Sequence, residues 1–323
     1  MEDGENRKHL GKLTEAIRKI MPKQLKEFIE KANRTEDDKI TCVLADINMG
    51  WALEVAAELG IRAAAFWPAS AFSFLLCVSI RKLIDDGVID EYGSPINKHK
   101  MFQLSPTMPA MLSKYFLWAC LGDFSTQKIM FEHIQRNNKI IEKADWLLCN
   151  SSYDLEPDGF NLAPKILLPI GPVSARDRLG NFEGTFWPED TACLKWLDQH
   201  PKGSVIYVAF GNYTVFDQKQ FQELALGLEL CNRPFLWVVR PDFTKGLDDS
   251  YPNEFQDRVG LRVKRDEKGM ITREEIKNKI DQLLGDEGLR GKALKLKELT
   301  TNSLNEGGSS NRIFKNFIEW IKS

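Results

Sequence analysis

The chain has 323 residues, which is ample for a large hydrophobic core and suggests two domains. Its hydrophobic content of 43% and charged content of 28% are ordinary for a soluble globular protein. The net charge of −2 gives no reason to expect a nucleic acid or an acidic membrane surface as a partner.

Neither the apolar segments nor the cysteines indicate secretion or a membrane. The polar residues 1–8 lack the apolar core of a signal peptide. Residues 63–80 carry no charge, but Pro68 lies inside them, which favours a buried strand and a buried helix over a spanning helix. The cysteines form no Cys-x-x-Cys pair, so we expect buried free thiols in the reducing cytoplasm rather than disulfides or a zinc site. They are Cys42, Cys77, Cys120, Cys149, Cys193 and Cys231.

Short apolar runs alternate with helical periodicity through the first 172 residues, as is typical of a parallel α/β sheet. Pro22 is predicted to open a second segment of the first helix, and Gly60 to end the second helix. The predicted strands are 40–45, 63–67 and 145–150, and the predicted helices are 10–32, 51–59, 69–86 and 123–143.

Asp46 directly follows the first predicted strand. One interpretation is that its carboxylate accepts hydrogen bonds from backbone N–H groups of the following turn, and the residues alone favour this role. The other is that the carboxylate orients a histidine base. A carboxylate bound to one imidazole nitrogen fixes the tautomer and stabilises the imidazolium that forms after proton abstraction.

Residues 102–122 are rich in proline, methionine and aromatic side chains. A cluster of this kind either packs in a core or lines a pocket, and Pro106 and Pro109 argue against a regular core element. Both interpretations stay open. The aromatic candidates for a pocket are Phe102, Phe116 and Trp118.

Residues 203–241 predict one right-handed βαβ unit: a strand over 205–210, a polar loop, a helix from Asp217 and a strand over 235–239. The loop follows the carboxyl end of a strand, where open α/β sheets bind their ligands. Its residues Gly211, Asn212, Tyr213 and Thr214 are therefore candidate ligand-binding residues. Upstream, residues 173–189 have little periodicity and predict a linker between domains.

Three helices are predicted at the end of the chain. Thr272 and Glu275 form a capping box that opens a helix through Leu284. A second helix is predicted over 287–304, and apolar residues over 313–321 predict the third.

Several ungapped strings resemble plant UDP-dependent glycosyltransferases of family 1, the secondary-product type. They are Val-Leu-Ala-Asp at 43–46, Ser-Val-Ile-Tyr-Val-Ala-Phe-Gly at 204–211 and Arg-Pro-Phe-Leu-Trp-Val-Val-Arg at 233–240. The resemblance implies an α/β fold with two Rossmann-like domains facing across a cleft, the GT-B type, both of them truncated. The implied domains are an acceptor-binding domain, the linker and a UDP-sugar-binding domain whose last helix packs back on the first. Their limits are 1–172, 173–189 and 190–323.

The resemblance also implies an activity, which is transfer of a sugar, usually glucose, from a UDP-sugar to a hydroxyl of a small plant metabolite. The UDP-sugar is a co-substrate, and neither a cofactor nor a metal is implied. Asp46 would support the histidine base of an inverting single displacement, residues 211–214 would face the donor phosphates, and the aromatic candidates would line the acceptor pocket. We expect a monomer whose partners are the small-molecule acceptor and the UDP-sugar.

Two parts that the family uses for chemistry have no counterpart in this sequence. A Trp-, His- and Gly-rich box that holds UDP-sugar should stand between Gly260 and Leu261, yet no histidine follows His200. The first strand and the Gly-His-x-x-Pro loop that carries the base are also absent. His9, His99, His133 and His200 are predicted to be surface or structural residues. The alternative to an enzyme is therefore an inactive truncated or splice-variant remnant with at most a ligand-binding or partner-binding role.

Overall fold

The structure is a computed structural model of the chain, and its described residues belong to two compact units. The first unit combines residues 1–174 with 294–323, and the second comprises 175–293. Apart from Val173, the predicted linker lies outside the described residues, so the domain limits given above stay a prediction. The described residues are 9–34, 39–121, 123–163, 167–173, 192–211, 216–238 and 270–323.

Strands and helices alternate along the described chain. The strands are β1 (Cys42–Asp46), β2 (Arg62–Trp67), β3 (Met101–Phe102), β4 (Met111–Leu112), β5 (Trp146–Cys149), β6 (Leu167–Pro169), β7 (Ile206–Val208) and β8 (Phe235–Trp237). The helices are α1 (Leu10–Ala32), α2 (Gly50–Glu58), α3 (Ala71–Val78), α4 (Ile80–Asp85), α5 (Phe124–Ile140), α6 (Pro157–Leu162), α7 (Ala192–Leu197), α8 (Gln218–Leu230), α9 (Arg273–Gly285), α10 (Glu287–Leu304) and α11 (Ser309–Lys322).

The first unit is built on a parallel sheet with the strand order β1-β2-β5-β6. Successive residues of a strand point to opposite faces, and β2 shows this clearly. Ala63 and Ala65 belong to the larger hydrophobic cluster, whereas Ala64 and Phe66 belong to a second one. Side chains on both faces of β2 are thus packed, as expected for a strand of a parallel sheet, although Leu44 on the neighbouring β1 is 53% exposed.

Helices α2, α3 and α5 contribute to the larger cluster, and local signals set their ends. The Ser70 hydroxyl accepts a hydrogen bond from the Ser73 N–H at the start of α3 (3.1 Å). The Asp123 carboxylate likewise accepts a hydrogen bond from the Thr126 N–H at the start of α5 (2.9 Å). Gly60, with φ of +66°, follows α2, in agreement with the predicted helix end.

Two predicted helix boundaries are wrong. Residues 10–32 form the single helix α1 with Pro22 in its interior, and a residue on each side of the proline is buried, Gly11 and Ile29. Conversely, the helix predicted over 69–86 is divided into α3 and α4 at Ser79, where ψ is 5° rather than helical. Serine favours helix ends because its hydroxyl competes for backbone groups.

Helix α11, the last helix, packs on the second face of the sheet. Phe317 is 2% exposed and packs with Ala64, Leu148 and Ile170. Arg62, the first residue of β2, donates to the Trp320 carbonyl (2.7 Å) and the Ile321 carbonyl (3.0 Å). Its guanidinium carbon also lies 4.9 Å from the centre of a Trp320 ring. This arginine therefore satisfies carbonyl groups that the end of a helix leaves without partners.

The second unit contains the parallel pair β7 and β8 joined through α8, which is the predicted βαβ unit. The Asp217 carboxylate caps α8 by accepting from the Gln220 N–H (2.8 Å), as predicted. Helix α9 packs closely against α8. Its cap is the predicted Thr272, which accepts from the Glu275 N–H (3.3 Å).

In the part of the chain that the structure describes, no helix combines the length and the apolar character needed to cross a membrane.

Candidate active site

Asp46 lies at the carboxyl end of β1 and is half-buried. Its Oδ1 accepts two hydrogen bonds from Asn48, one from the backbone N–H (2.8 Å) and one from the side-chain amide (3.1 Å). Among the described residues nothing donates a hydrogen bond to Oδ2. Both interpretations of this residue are thus compatible with its geometry, since one oxygen holds the turn and the other is left for a further donor.

His133 packs against the turn that follows β1 and contacts Asn48 in it. Its side chain is only 7% exposed, and Nε2 lies 3.0 Å from the Asn48 carbonyl oxygen and 3.0 Å from Asn137 Nδ2. Gly50 allows this close approach, since a Cβ there would lie 2.6 Å from Asn137 Oδ1. His133 therefore has a structural role, which fits the sequence prediction, although it is buried rather than on the surface.

The protonation state of His133 follows from its surroundings. Burial, followed by the nearby Arg18 and Arg136 charges, lowers the pKa of His133 below its ordinary value of 6.5, although the hydrogen bond to the Asn48 carbonyl opposes this. Nε2 faces both the Asn48 carbonyl oxygen and the Asn137 side-chain amide, and Nδ1 is buried with no hydrogen-bond partner among the described residues. An imidazolium carries a proton on both nitrogens, so its Nδ1–H would have no acceptor among the described residues, and the neutral ring is favoured.

We expect this histidine to make the fold less stable in mild acid. As the pH falls through 6.5, the unfolded chain binds a proton at His133 more readily than the folded chain does, so the free energy of unfolding decreases by at most about 1.4 kcal/mol per pH unit. His133→Gln should flatten the change in that free energy between pH 7.5 and 5.5, measured by urea unfolding. His99→Gln, at an exposed site, is the control; equal pH slopes in the two variants would contradict this assignment.

The three aromatic pocket candidates lie in the core of the first unit. Phe116 and Trp118 are fully buried, and their ring centroids are 5.4 Å apart. Phe102 contacts Phe116 edge to face at 5.6 Å, and the Trp118 indole N–H donates to the Gly93 carbonyl (2.8 Å). This geometry corresponds to the packing interpretation for Phe116 and Trp118, and a role of the three residues in acceptor binding stays a prediction.

The donor-loop candidates are only partly described. Gly211 follows β7 with φ of +66°, a conformation that glycine adopts readily, and it is exposed. Asn212, Tyr213 and Thr214 lie outside the described residues.

Glu156 is a half-buried residue in the turn after β5, and the sequence pattern did not reveal its role. Its carboxylate accepts hydrogen bonds from the Ala71 N–H (3.0 Å) and the Phe72 N–H (3.2 Å) at the start of α3, and from the Ser151 hydroxyl. The turn after β5 is thereby tied to the turn after β2, at the same edge of the sheet as Asp46. The sequence analysis could single out the string over 153–156 by its resemblance to the family. The contact of Glu156 with α3 joins residues far apart in the sequence and becomes visible only in the fold.

Among the described residues, no three histidine, cysteine or acidic side chains are grouped so that they could hold a metal ion. Cys149, beside the same turn, is buried, and burial raises the pKa of its thiol to about 12. It is therefore a packed thiol rather than a nucleophile.

A comparison of the sequence with profiles of known protein families matched none. A comparison with individual proteins found UDP-glycosyltransferase 83A1 of Arabidopsis thaliana, 38% identical over 384 positions that include all of this chain and 82% of the relative. The chain belongs to the plant UDP-glycosyltransferases. The resemblance read from the strings at 43–46, 204–211 and 233–240 is thus confirmed.

A second relative shows how much of the family's length is matched. The 7-deoxyloganetin glucosyltransferase of Gardenia jasminoides is 32% identical over 228 residues, which are 67% of this chain and 47% of that enzyme. The chain therefore spans about half the length of this relative. The alignment with UDP-glycosyltransferase 83A1 is 384 positions long, whereas this chain has 323 residues, so at least 61 positions have no counterpart here.

Solved structures agree on the fold. A glycosyltransferase of Phytolacca americana, in complex with UDP-2-fluoro-glucose and pterostilbene, has a TM-score of 0.75 at 20% identity. The match covers 100% of this chain and 84% of that one. The predicted α/β fold of the GT-B type is confirmed, and the family's co-substrate is a UDP-sugar.

Proposed function

We propose that this chain carries the frame of a UDP-glycosyltransferase that transfers glucose from UDP-glucose to a hydroxyl of a small plant metabolite. The observation that carries the proposal is the 38% identity to UDP-glycosyltransferase 83A1 over the whole chain. The name of the Gardenia relative, a glucosyltransferase, supports the choice of sugar. A monomeric state and a cytoplasmic location remain predictions from the sequence.

In the proposed reaction a histidine base takes the proton of the acceptor hydroxyl, and the oxygen attacks the anomeric carbon as UDP leaves. Asp46 is the positioning residue for that base. With Oδ1 held by Asn48, Oδ2 is available to accept a hydrogen bond from the imidazole and to stabilise the imidazolium. Gly211 opens the loop whose backbone N–H groups would face the donor phosphates.

We also propose that the 323-residue chain by itself turns over negligibly. None of its histidines has a described contact with Asp46: His133 binds Asn48, His9 lies 3.5 Å from Asp123, and His200 contacts the Trp196 carbonyl. One positioned acid or base contributes about 10²–10⁴-fold to a rate. Loss of the residues that bind the nucleotide would lower the rate further. On this proposal the 323-residue polypeptide is an inactive relative of the transferases to which it is similar.

Two measurements on the purified chain test these proposals. We expect no release of UDP from UDP-glucose in the presence of phenolic acceptors, with UDP-glycosyltransferase 83A1 assayed in parallel as the positive control. Turnover above that of the heat-inactivated chain would contradict the proposal of an inactive chain. Calorimetric titration with UDP, on a chain shown by circular dichroism to be folded, reports separately whether the donor site survives; micromolar binding would show that it does.

A further inference from the structure

A cavity of about 260 Å³ lies wholly within the second unit. Its wall is formed by α8, α9 and the residues on either side of the loop after β7. Neither Asp46 nor Gly211, to which the proposed function assigns roles, lines this cavity. The apolar wall residues are Phe210, Phe216, Leu224, Ile271, Ile276 and Ile280.

Polar contacts and one close approach fix the distance between the two helices that form this wall. The Glu223 carboxylate accepts from the Arg273 backbone N–H (2.7 Å) and from its guanidinium, which lowers the pKa of Glu223. At the other end of the contact, Gly227 touches α9, since a Cβ there would lie 2.8 Å from the Ile276 Cβ. The absence of a side chain at Gly227 thus lets the two helices approach closely at this point, and the cavity lies beside that contact.

The polar groups at the cavity decide which ligand it accepts. The Gln220 side chain is fully engaged, since its amide donates to the Ile271 carbonyl (2.8 Å) and its oxygen accepts from the Ile271 N–H (2.9 Å). Lys279 is half-buried and donates to Gln282 Oε1 (3.1 Å), and an ammonium group has two further N–H donors. The wall therefore offers apolar surface and one cationic donor.

We propose that this cavity is a binding site for a small aromatic anion, with the rings against the apolar wall and the anionic group at Lys279. An engineered cavity of about 150 Å³ accepts benzene, so about 260 Å³ accommodates a body of roughly two rings. Such a ligand is chemically different from both a UDP-sugar and a neutral hydroxylated acceptor.

The test uses two dyes that differ in charge. 1-Anilinonaphthalene-8-sulfonate has two fused rings that match the size of the cavity, a sulfonate, and a third, anilino ring that would lie at the open side beside Leu283. N-Phenyl-1-naphthylamine has the same three rings without the charge. We expect saturable binding of the sulfonate at one site per chain, measured by its fluorescence, with near-ultraviolet circular dichroism and a cooperative thermal transition showing that the chain is folded. Binding at many sites without saturation would overturn the proposal.

Variants connect the binding to this cavity. Lys279→Met keeps the apolar stem and should weaken the sulfonate about fivefold while changing the neutral dye less than twofold, because only the charge-assisted contact is lost. Lys292→Met, at an exposed site on α10, should change neither dye. Equal effects of the two lysine variants on the sulfonate would overturn the proposal.

A filled cavity provides the second test. Ile280→Trp should abolish binding of both dyes, and Leu283→Trp, at a wall position that is 44% exposed, should do the same with little risk to folding. Unchanged binding in a folded variant would overturn the proposal. Saturating UDP should leave the dye affinity unchanged. Displacement by UDP would assign the dye to the donor site and would also overturn it.

Discussion

Replacing Phe317 by alanine is expected to lower the free energy of unfolding by about 3–5 kcal/mol. Phe317 is 2% exposed, and its ring lies 5.5 Å from Trp146 and 5.8 Å from Trp320, centre to centre. Alanine would leave a cavity between α11 and the sheet that these neighbours cannot fill. Native proteins are stable by only about 5–15 kcal/mol, so this one change removes a large part of the total.

The measurement is urea unfolding followed by tryptophan fluorescence. Phe314→Ala is the matched control, because Phe314 lies on the same helix but is 44% exposed, and exposed substitutions change stability by about 0.5 kcal/mol or less. If the two alanine variants unfold at the same urea concentration, α11 does not hold the second face of the sheet.

The second large effect is expected at Asp46. In a chimera that takes the segments with no counterpart here from UDP-glycosyltransferase 83A1, Asp46→Asn should lower kcat/KM by about 10²–10⁴-fold. An asparagine can still accept the hydrogen bond from the Asn48 N–H, so the turn after β1 is kept. What is lost is the negative charge that stabilises the imidazolium.

The design separates the two interpretations of this carboxylate. We expect the melting temperature of the Asp46→Asn chimera to stay within a few degrees of the parent while its rate falls. Asp123→Asn is the control, since Asp123 also accepts a backbone N–H at the start of a helical segment but lies in no proposed site. Equal rates in the two variants would leave Asp46 with the turn as its only role.

The sequence predicted those parts of the fold whose signals are local. The caps Asp217 and Thr272 act on an N–H three residues away, so a short window of sequence contains the whole interaction. The interior position of Pro22 and the break at Ser79 depend instead on what the rest of the molecule packs against these helices. Helix limits set by tertiary packing cannot be read from such a window.

The same distinction applies to the candidate site. The position of Asp46 at the end of a strand was predictable, because it follows an apolar run directly. The burial of His133 was not, since the contact that determines it joins residues 85 positions apart. The cavity beside Lys279 is also non-local, because Gln220 and Ile271 are 51 positions apart.

The contact between Arg62 and α11 affects how the protein is made. Arg62 bonds to carbonyl groups 258 and 259 positions further along the chain, so the sheet of the first unit cannot cover its second face early in translation. At about 5–20 residues per second, the ribosome needs on the order of 10 s to pass from the end of β6 to α11. Until α11 has been synthesised, Ala64 and Leu148 cannot pack against Phe317 and face the solvent or a chaperone. The whole second unit is therefore synthesised before the first unit can complete its core.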